Sequence, residues 1–227
     1  MRFTGFGEDL PLFFEGLEAD NSKAYWADHK AVYEAQVRGP MEALLADLAP
    51  DFGEAKVFRP YRDVRFSHDK SPYKTHTGAH THGRRGGTGS LYVQVSADGL
   101  MVAGGCWTME RDQLARYRAA VLDDGTGRAL SRVVASLGAD GWEPGAHDAL
   151  TRAPRGVDPD HPRIDLLRLK GMGLYREHDV EPWLFTSRAR DVVADAWRSL
   201  APLNRWLDRH VGPHVPDATD RDEARRR

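Results

Sequence analysis

The chain is poor in cysteine and contains no long apolar run. Its single cysteine, Cys106, excludes an internal disulfide and fits a reducing compartment. No window approaches the ~20 consecutive apolar residues that a membrane-spanning helix needs. The opening MRFTGFGEDLPLFF has one early cation, two acids and no apolar core, unlike a signal peptide. We therefore expect a cytoplasmic protein with no membrane partner.

An excess of positive charge is also lacking. The 227 residues contain 32 Lys and Arg against 34 Asp and Glu, a net charge of -2. This balance disfavours a protein that coats nucleic acid over its whole surface, although it leaves room for a local basic patch. Apolar residues make up 41% of the chain and include six Trp, seven Tyr and eight Phe, which is enough for a substantial core.

The order of the predicted elements favours an α+β fold. Apolar residues at helical spacing predict a helix from Leu10 to Leu17, and Asn21 or Ser22 caps a second helix. Asp98-Gly99 between two apolar runs is typical of a β-hairpin. We expect a small, mostly antiparallel sheet packed by N-terminal and C-terminal helices, because the pattern lacks the βαβ repeat of parallel sheets. A single domain is predicted over 1–215, followed by a disordered charged tail at 216–227.

The other predicted elements are shorter or interrupted by proline. Pro40 is expected to end or restart the second helix. Pro50 is expected to close a third helix from Met41 to Leu48. Further elements are predicted as a strand at 56–59 cut by Pro60, helices at 111–122, 128–137 and 163–170, a short strand that contains Trp142, another at 173–176, and helices beginning at Ser187 and Pro202.

Positive charge is concentrated in residues 56–85. This segment has eight cations and two carboxylates, a net +6, so the rest of a chain of net charge -2 carries -8. Such segregation is more informative than the total, because a solvated surface does not require it. The cations are Lys56, Arg59, Arg62, Arg65, Lys70, Lys74, Arg84 and Arg85, and the carboxylates are Asp63 and Asp69.

Residues 59–76 are the strongest candidates for binding or chemistry. Arginine binds phosphate or carboxylate through a planar fork, and three arginines recur at every third residue. Asp63 stands between Arg62 and Arg65, which should keep it ionised and suit it to orient an arginine. The same Arg-Asp-Arg pattern also forms purely structural ion-pair networks. The following ten residues, SHDKSPYKTH, favour a ligand site because all but Pro72 carry side chains that donate or accept hydrogen bonds.

At these residues the chain resembles a known family. Arg59-x-x-Arg62-Asp63-x-Arg65-Phe66 followed by Asp69-Lys70-x-x-Tyr73-Lys74-Thr75-His76 is similar to the signature of the bacterial conserved hypothetical proteins grouped as domain of unknown function family 2461. The resemblance extends over most of residues 5–212. It implies no activity, because none is assigned to the family, and it carries over only the signature positions.

Three hypotheses follow. The first is an enzyme or binding domain for an anionic, phosphate- or carboxylate-bearing small molecule, with Tyr73, His76 or Asp63 as candidates for proton transfer. The second is binding of nucleic-acid phosphates by the same patch. The third is a structural or partner-binding protein in which the cluster is an ion-pair scaffold. The predicted ligand-binding residues are Arg59, Arg62, Asp63, Arg65, Asp69, Lys70, Tyr73 and Lys74.

Other groups offer weaker hypotheses, and no particular cofactor is indicated. The histidines at 68, 76, 80 and 82 match no zinc motif, and the surrounding cations oppose a divalent ion, so no metal is predicted. The glycine run at 83–89 is interpreted as a flap, since it lacks the ending of a phosphate-binding loop. Cys106 is expected to be a buried thiol, and 177–179 a surface loop.

Overall fold

The N-terminal helices form where the apolar spacing predicts them. The computed structural model describes residues 2–65, 68–81 and 88–216. Helix α1 spans Leu10–Ala19 and α2 spans Lys23–Val32. The Ser22 hydroxyl accepts from the Tyr25 amide at 3.1 Å, which confirms the predicted cap of α2. The buried stripe of α1 has the spacing expected of an amphipathic helix and consists of Leu10, Phe13, Phe14 and Leu17.

Pro40 restarts the helix through a π-helical segment. This segment spans Tyr33–Arg38, and α3 continues from Gly39 to Phe52. Pro40 has no N–H to give the Gln36 carbonyl, which instead accepts from the Gly7 amide at 2.9 Å. The prediction that Pro50 closes this helix is wrong. Pro50 lies in the last turn, where it removes one bond without ending the helix.

An antiparallel, six-stranded sheet in the order β1-β2-β3-β4-β6-β5 confirms the predicted α+β class. The predicted hairpin is present, with Gly99 at φ +127 after its two-residue turn. The predicted strand at 56–59 is shorter and displaced, since pairing in β1 stops at Val57. The strands are β1 (Ala55–Val57), β2 (His76–Thr81), β3 (Ser90–Ser96), β4 (Gly99–Cys106), β5 (Glu143–Gly145) and β6 (Met172–His178).

Register gives strands β2 and β3 one apolar and one polar face. Thr77 pairs with Val95 and Ala79 with Val93, and these side chains are buried. The alternate pairs are His76 with Ser96, Gly78 with Gln94, and His80 with Tyr92. Directly opposed residues share a face of a sheet. We call these last six residues the polar sheet face: His76, Gly78, His80, Tyr92, Gln94 and Ser96.

The described chain divides into two compact units. The first contains residues 2–65, 68–81, 90–104 and 175–200, and the second contains 88–89, 105–174 and 201–216. The boundaries fall inside β4 and β6. The single domain predicted over 1–215 stays a prediction. Of the predicted disordered tail, all but Pro216 lies outside the described residues.

The first unit also includes a 3-10 helix, Pro182–Phe185, and helix α7, Arg188–Ser199. The Phe6 amide donates to the Leu184 carbonyl at 3.1 Å, so the N-terminal segment is tied to this region. The Trp197 indole donates to the Tyr92 carbonyl at 3.0 Å, which ties α7 to β3. These contacts join segments far apart in the chain around one core.

The second unit is mainly helical. Helices α4 (Arg111–Leu122), α5 (Asp124–Ala139), α6 (Ile164–Arg168) and α8 (Ala201–His210) lie in it. The Arg163 side chain is only 7% exposed and donates to the Val121 and Leu122 carbonyls at 2.7 and 3.1 Å. It therefore satisfies carbonyls that end α4. Among the described residues no helix has both the length and the hydrophobicity to cross a bilayer.

Candidate functional site

The family-like motif forms a loop closed at its base by backbone hydrogen bonds. We call residues 58–76 the signature loop; Phe66 and Ser67 lie outside the described residues. Tyr61 and Tyr73 form an isolated antiparallel bridge, with the Arg62 amide donating to the Pro72 carbonyl at 2.9 Å. The Lys74 amide donates to the Pro60 carbonyl at 2.8 Å. The two arms therefore run side by side as β1 and β2 do, with Pro60 acting only as an acceptor.

Tyr73 anchors this loop to helix α2. Its ring is 5% exposed and stacks on Trp26, with centroids 4.4 Å apart and planes 8° apart. The Asn21 amide group holds the Tyr73 backbone on both sides, accepting from its N–H at 2.9 Å and donating to its carbonyl at 3.1 Å. Burial, and then the neighbouring Tyr61, raise the pKa of Tyr73. The structure thus places this candidate proton donor in the core.

Two ion pairs hold the far end of the signature loop. Arg65 donates to both carboxylate oxygens of Asp63, through Nε at 2.9 Å and Nη2 at 2.7 Å. Arg62 pairs with Asp69, whose other oxygen accepts from the Ser71 amide at 2.9 Å. Lys70 also contributes to the loop, since its ammonium donates to the Val64 carbonyl at 2.9 Å. Contacts of this kind restrict the conformation of the loop. They add little to the stability of the whole fold, because these side chains are exposed to water.

The two loop carboxylates are strongly acidic. Hydrogen bonds from the Arg65 side chain and amide lower the pKa of Asp63 to about 2. Hydrogen bonds from Ser71, and then the Arg62 guanidinium, lower the pKa of Asp69 to about 2. A depressed carboxyl pKa stabilises the folded loop above the ordinary value of 3.8, and that contribution is lost as pH falls through about 2. Both groups are therefore carboxylates at neutral pH and unsuited to donate protons.

We expect a pH titration to detect the lowered pKa values of Asp63 and Asp69. The amide shifts of Arg65 and Ser71, followed by two-dimensional NMR, should move with midpoints near pH 2 as the partner carboxylates protonate. The Asp69→Asn variant is the control, since it should abolish the Ser71 titration and leave that of Arg65. Midpoints near the ordinary value of 3.8 would show that the ion pairs do not form in solution.

Arg59 and Lys74 differ from these paired cations. Neither forms a salt bridge with a carboxylate of the described residues. Arg59 is exposed, whereas Lys74 is half-buried with its ammonium 5.0 Å from the centre of the Phe58 ring. Burial, and then repulsion from Arg59, lower the pKa of Lys74. The signature loop therefore holds two cations whose fields reinforce each other.

His76 and the polar sheet face adjoin these cations. Burial, and then the charges of Lys74 and Arg62, lower the pKa of His76, which is therefore a neutral imidazole at pH 7. The Phe58 ring connects Lys74 to the sheet, because it also stacks on His80 at 5.0 Å and 11°. A neutral imidazole beside these cations can accept a proton from a ligand. Because it is uncharged, it leaves the binding of an anion to the two cations.

A family model covers most of this chain. The model of the family described as Conserved hypothetical protein (DUF2461) matches residues 9–206. The chain belongs to this family. The match includes the entire signature loop and confirms the resemblance seen at its Arg, Asp, Tyr and Lys positions. No curated protein matches the chain.

Several site residues of this DUF2461 protein have no obvious sequence signal. Asn21 was expected only as a possible helix cap, whereas it fixes Tyr73 across 52 positions of chain. The hairpin pattern predicts no role for Tyr92 and Gln94, yet their alternation with Leu91, Val93 and Val95 is enough to place them on a polar face. Gly78 lies so close to Tyr92 that an added Cβ would be 2.2 Å from the Tyr92 hydroxyl oxygen.

The weaker candidates do not form sites in the described part of the DUF2461 chain. No group of three His, Cys, Asp or Glu side chains there could hold a metal ion. His82, Arg84, Arg85 and most of the predicted glycine flap lie outside the described residues. Cys106 is buried, its thiol donates to the Thr108 carbonyl at 3.2 Å, and burial raises its pKa to about 11. The prediction of a surface loop at 177–179 is wrong for its first two residues, because Glu177 and His178 end strand β6, and His178 lies half-buried against Trp183.

A cavity of about 480 Å³ lies in the first unit, away from the signature loop. It is lined by the N-terminal segment 2–7, by Glu34 and Ala35 of the π-helical segment, and by Gly39, Pro40, Ala43 and Phe185. Its charged lining groups, Arg2 and Glu34, have opposite signs. This cavity does not gather charge of one sign, so it does not carry an argument for anion binding.

Proposed function

We propose that the protein binds a small anion, bearing phosphate or carboxylate, at the surface formed by Arg59, Lys74 and His76. The observation that carries the proposal is the contrast within one loop. Arg62 and Arg65 form salt bridges with carboxylates, whereas Arg59 and Lys74 form none with the described residues, and Arg59 acts on Asp63 only through its longer-range charge. Two mutually repelling cations are costly for a fold, and a bound anion would relieve that repulsion.

The proposal divides the predicted ligand residues into two groups. Arg59 and Lys74 hold the anion by charge-assisted hydrogen bonds, and His76 supplies a neutral donor or acceptor beside it. The remaining residues shape the loop that presents these groups: Arg62, Asp63, Arg65, Asp69, Lys70 and Tyr73. Their contacts support a scaffold role for these six of the eight predicted ligand residues, as the structural hypothesis expects.

Calorimetric titration at low ionic strength tests the proposal with inorganic phosphate and with malonate. The Arg59→Ala/Lys74→Ala double variant is expected to weaken binding at least about ten-fold, since hydrogen bonds to charged groups contribute roughly 1.5–3 kcal/mol each. Arg65→Ala is the matched control, because Arg65 already pairs with Asp63. Wild-type protein that binds neither anion, or an equal loss in Arg65→Ala, would contradict the proposal.

The same variants distinguish the nucleic-acid hypothesis. Phosphates of an oligonucleotide would be bound by many cations at once, and affinity would fall steeply with salt concentration. Two results together would favour the nucleic-acid hypothesis over the small-molecule proposal. They are tight oligonucleotide binding with a steep salt dependence, and no measurable binding of the small anions.

A further inference from the structure

We propose that Lys74 is a nucleophilic amine, and that the ligand bound beside it carries an aldehyde or ketone carbonyl with which Lys74 forms a Schiff base. This inference rests on the proposed function in one respect. Arg59 is assigned to the anionic group of the ligand, which places the carbonyl at the neighbouring amine. It goes beyond anion binding because it assigns a covalent reaction to one side chain.

The three lysines of the segment have different surroundings. Lys56 is exposed on β1, and Lys70 is exposed with its ammonium donating to the Val64 carbonyl at 2.9 Å. Lys74 is half-buried, and no carboxylate or carbonyl of the described residues accepts a hydrogen bond from its ammonium. An acceptor stabilises the ammonium form of lysine, so its absence favours the amine form that reacts with carbonyls.

The neighbours of Lys74 hold it in place without supplying a negative charge. The Phe58 ring lies 5.0 Å from its nitrogen and is itself fixed by stacking on His80 at 5.0 Å. Arg59 acts on Lys74 through repulsion, and burial adds to the effect, so its pKa is lowered. A lysine that is desolvated beside a second cation is a known arrangement for activating an amine.

The titratable groups that couple to this amine are Arg59, which repels its charge, and His76, whose pKa its charge lowers, and neither is negative. Arg62 acts on His76, and His80 stacks on the Phe58 ring that lies beside the amine. The pKa of His76 is lowered by burial and by Lys74, so a neutral imidazole is available to move protons during the reaction. Burial and the charge of Arg59 therefore raise the share of Lys74 present as the free amine, against the preference of the Phe58 ring face for the ammonium, and the neighbouring His76 is neutral.

The reaction balances without a further reagent. The Lys74 nitrogen forms a bond to the carbonyl carbon as the π bond of the carbonyl opens, giving a carbinolamine. The carbon–oxygen bond then breaks, and the oxygen leaves as water with the two protons that the amine nitrogen loses. The product is an imine between Lys74 and the ligand, and hydrolysis reverses it.

Pyridoxal 5′-phosphate tests the proposal, because it carries a phosphate and an aldehyde on one small molecule. After brief exposure and reduction with sodium borohydride, peptide mass spectrometry should find the label on Lys74 at least about ten-fold more often than on Lys56 or Lys70. Labelling of Lys74 should also reach its maximal rate at a lower pH than that of the other two. Equal labelling of the three lysines would overturn the proposal.

Matched variants separate this inference from the proposed function. Lys74→Arg removes the primary amine, so it should lose the label at position 74 whatever its affinity for inorganic phosphate. Pyridoxal, which lacks the phosphate, should label Lys74 more slowly, and Arg59→Ala should reduce labelling by pyridoxal 5′-phosphate to that slower rate. If both aldehydes labelled Lys74 preferentially and at the same rate, the result would support a nucleophilic Lys74 and contradict the proposed anion-binding site. If phosphate bound but Lys74 were not labelled preferentially, the Schiff-base proposal would be rejected and the proposed anion site would stand.

Discussion

Replacing Trp26 by alanine is expected to lower the free energy of unfolding by about 3–5 kcal/mol, the range for truncating a buried Trp. Trp26 is only 6% exposed and contacts rings on three elements. Its indole stacks on Tyr73 at 4.4 Å and packs against Tyr33 at 4.9 Å and Phe13 at 6.1 Å. The substitution therefore leaves a cavity and also releases the signature loop from α2. Urea unfolding at pH 7, followed by circular dichroism, measures the loss.

Tyr61→Ala is the matched control for Trp26→Ala. Tyr61 faces the same ring cluster, with its centroid 5.4 Å from that of Tyr73, but it is 51% exposed. Its truncation should cost about 1 kcal/mol or less, because an exposed ring buries little surface and leaves no closed cavity. If Trp26→Ala were no more destabilising than Tyr61→Ala, the stacked cluster would not be the anchor of the loop.

Asn21→Ala is expected to cost about 2–3 kcal/mol, since it leaves a buried donor and a buried acceptor of Tyr73 without partners. Both hydrogen bonds come from one amide side chain, at 2.9 and 3.1 Å. Alanine cannot replace either, and the buried Tyr73 backbone has limited access to water. Urea unfolding measures the global loss, and hydrogen exchange at the Tyr73 amide reports the local one.

The Asn21→Asp variant gives a graded test of the same contacts. Aspartate retains an oxygen for the Tyr73 N–H but has no N–H for the Tyr73 carbonyl. We expect a loss intermediate between wild type and Asn21→Ala, with the exchange protection of the Tyr73 amide largely retained. Unchanged protection in Asn21→Ala would show that the amide clamp does not hold the loop.

These variants also bear on the proposed function. Arg59 and Lys74 lie on the two arms that the Tyr61–Tyr73 bridge joins. Releasing Tyr73 should therefore weaken anion binding indirectly, by separating the two cations. In contrast, Arg59→Ala removes a binding group and should leave the free energy of unfolding within about 0.5 kcal/mol, as is usual for an exposed residue.

Local pattern was sufficient to predict many of the elements. Helix α1 follows from apolar spacing, the start of α2 from Ser22, and the hairpin from Asp98-Gly99, because each depends on residues a few positions apart. Other features depend on tertiary contacts that compensate for a local rule. The π-helical segment before Pro40 is one such case, since the carbonyl that proline leaves without a partner is satisfied by Gly7.

The sequence by itself determined the α+β class, the family and the position of the signature loop, because amphipathic periods, turn residues and charge segregation are properties of neighbouring residues. Only the tertiary structure decided which charges are compensated. Arg62 and Asp69 meet because the loop folds back, and Asn21 reaches Tyr73 across 52 positions of chain. Those contacts assign Tyr73 and the two Asp residues to the scaffold. They leave Arg59 and Lys74 without a described carboxylate partner, and the proposed function rests on that difference.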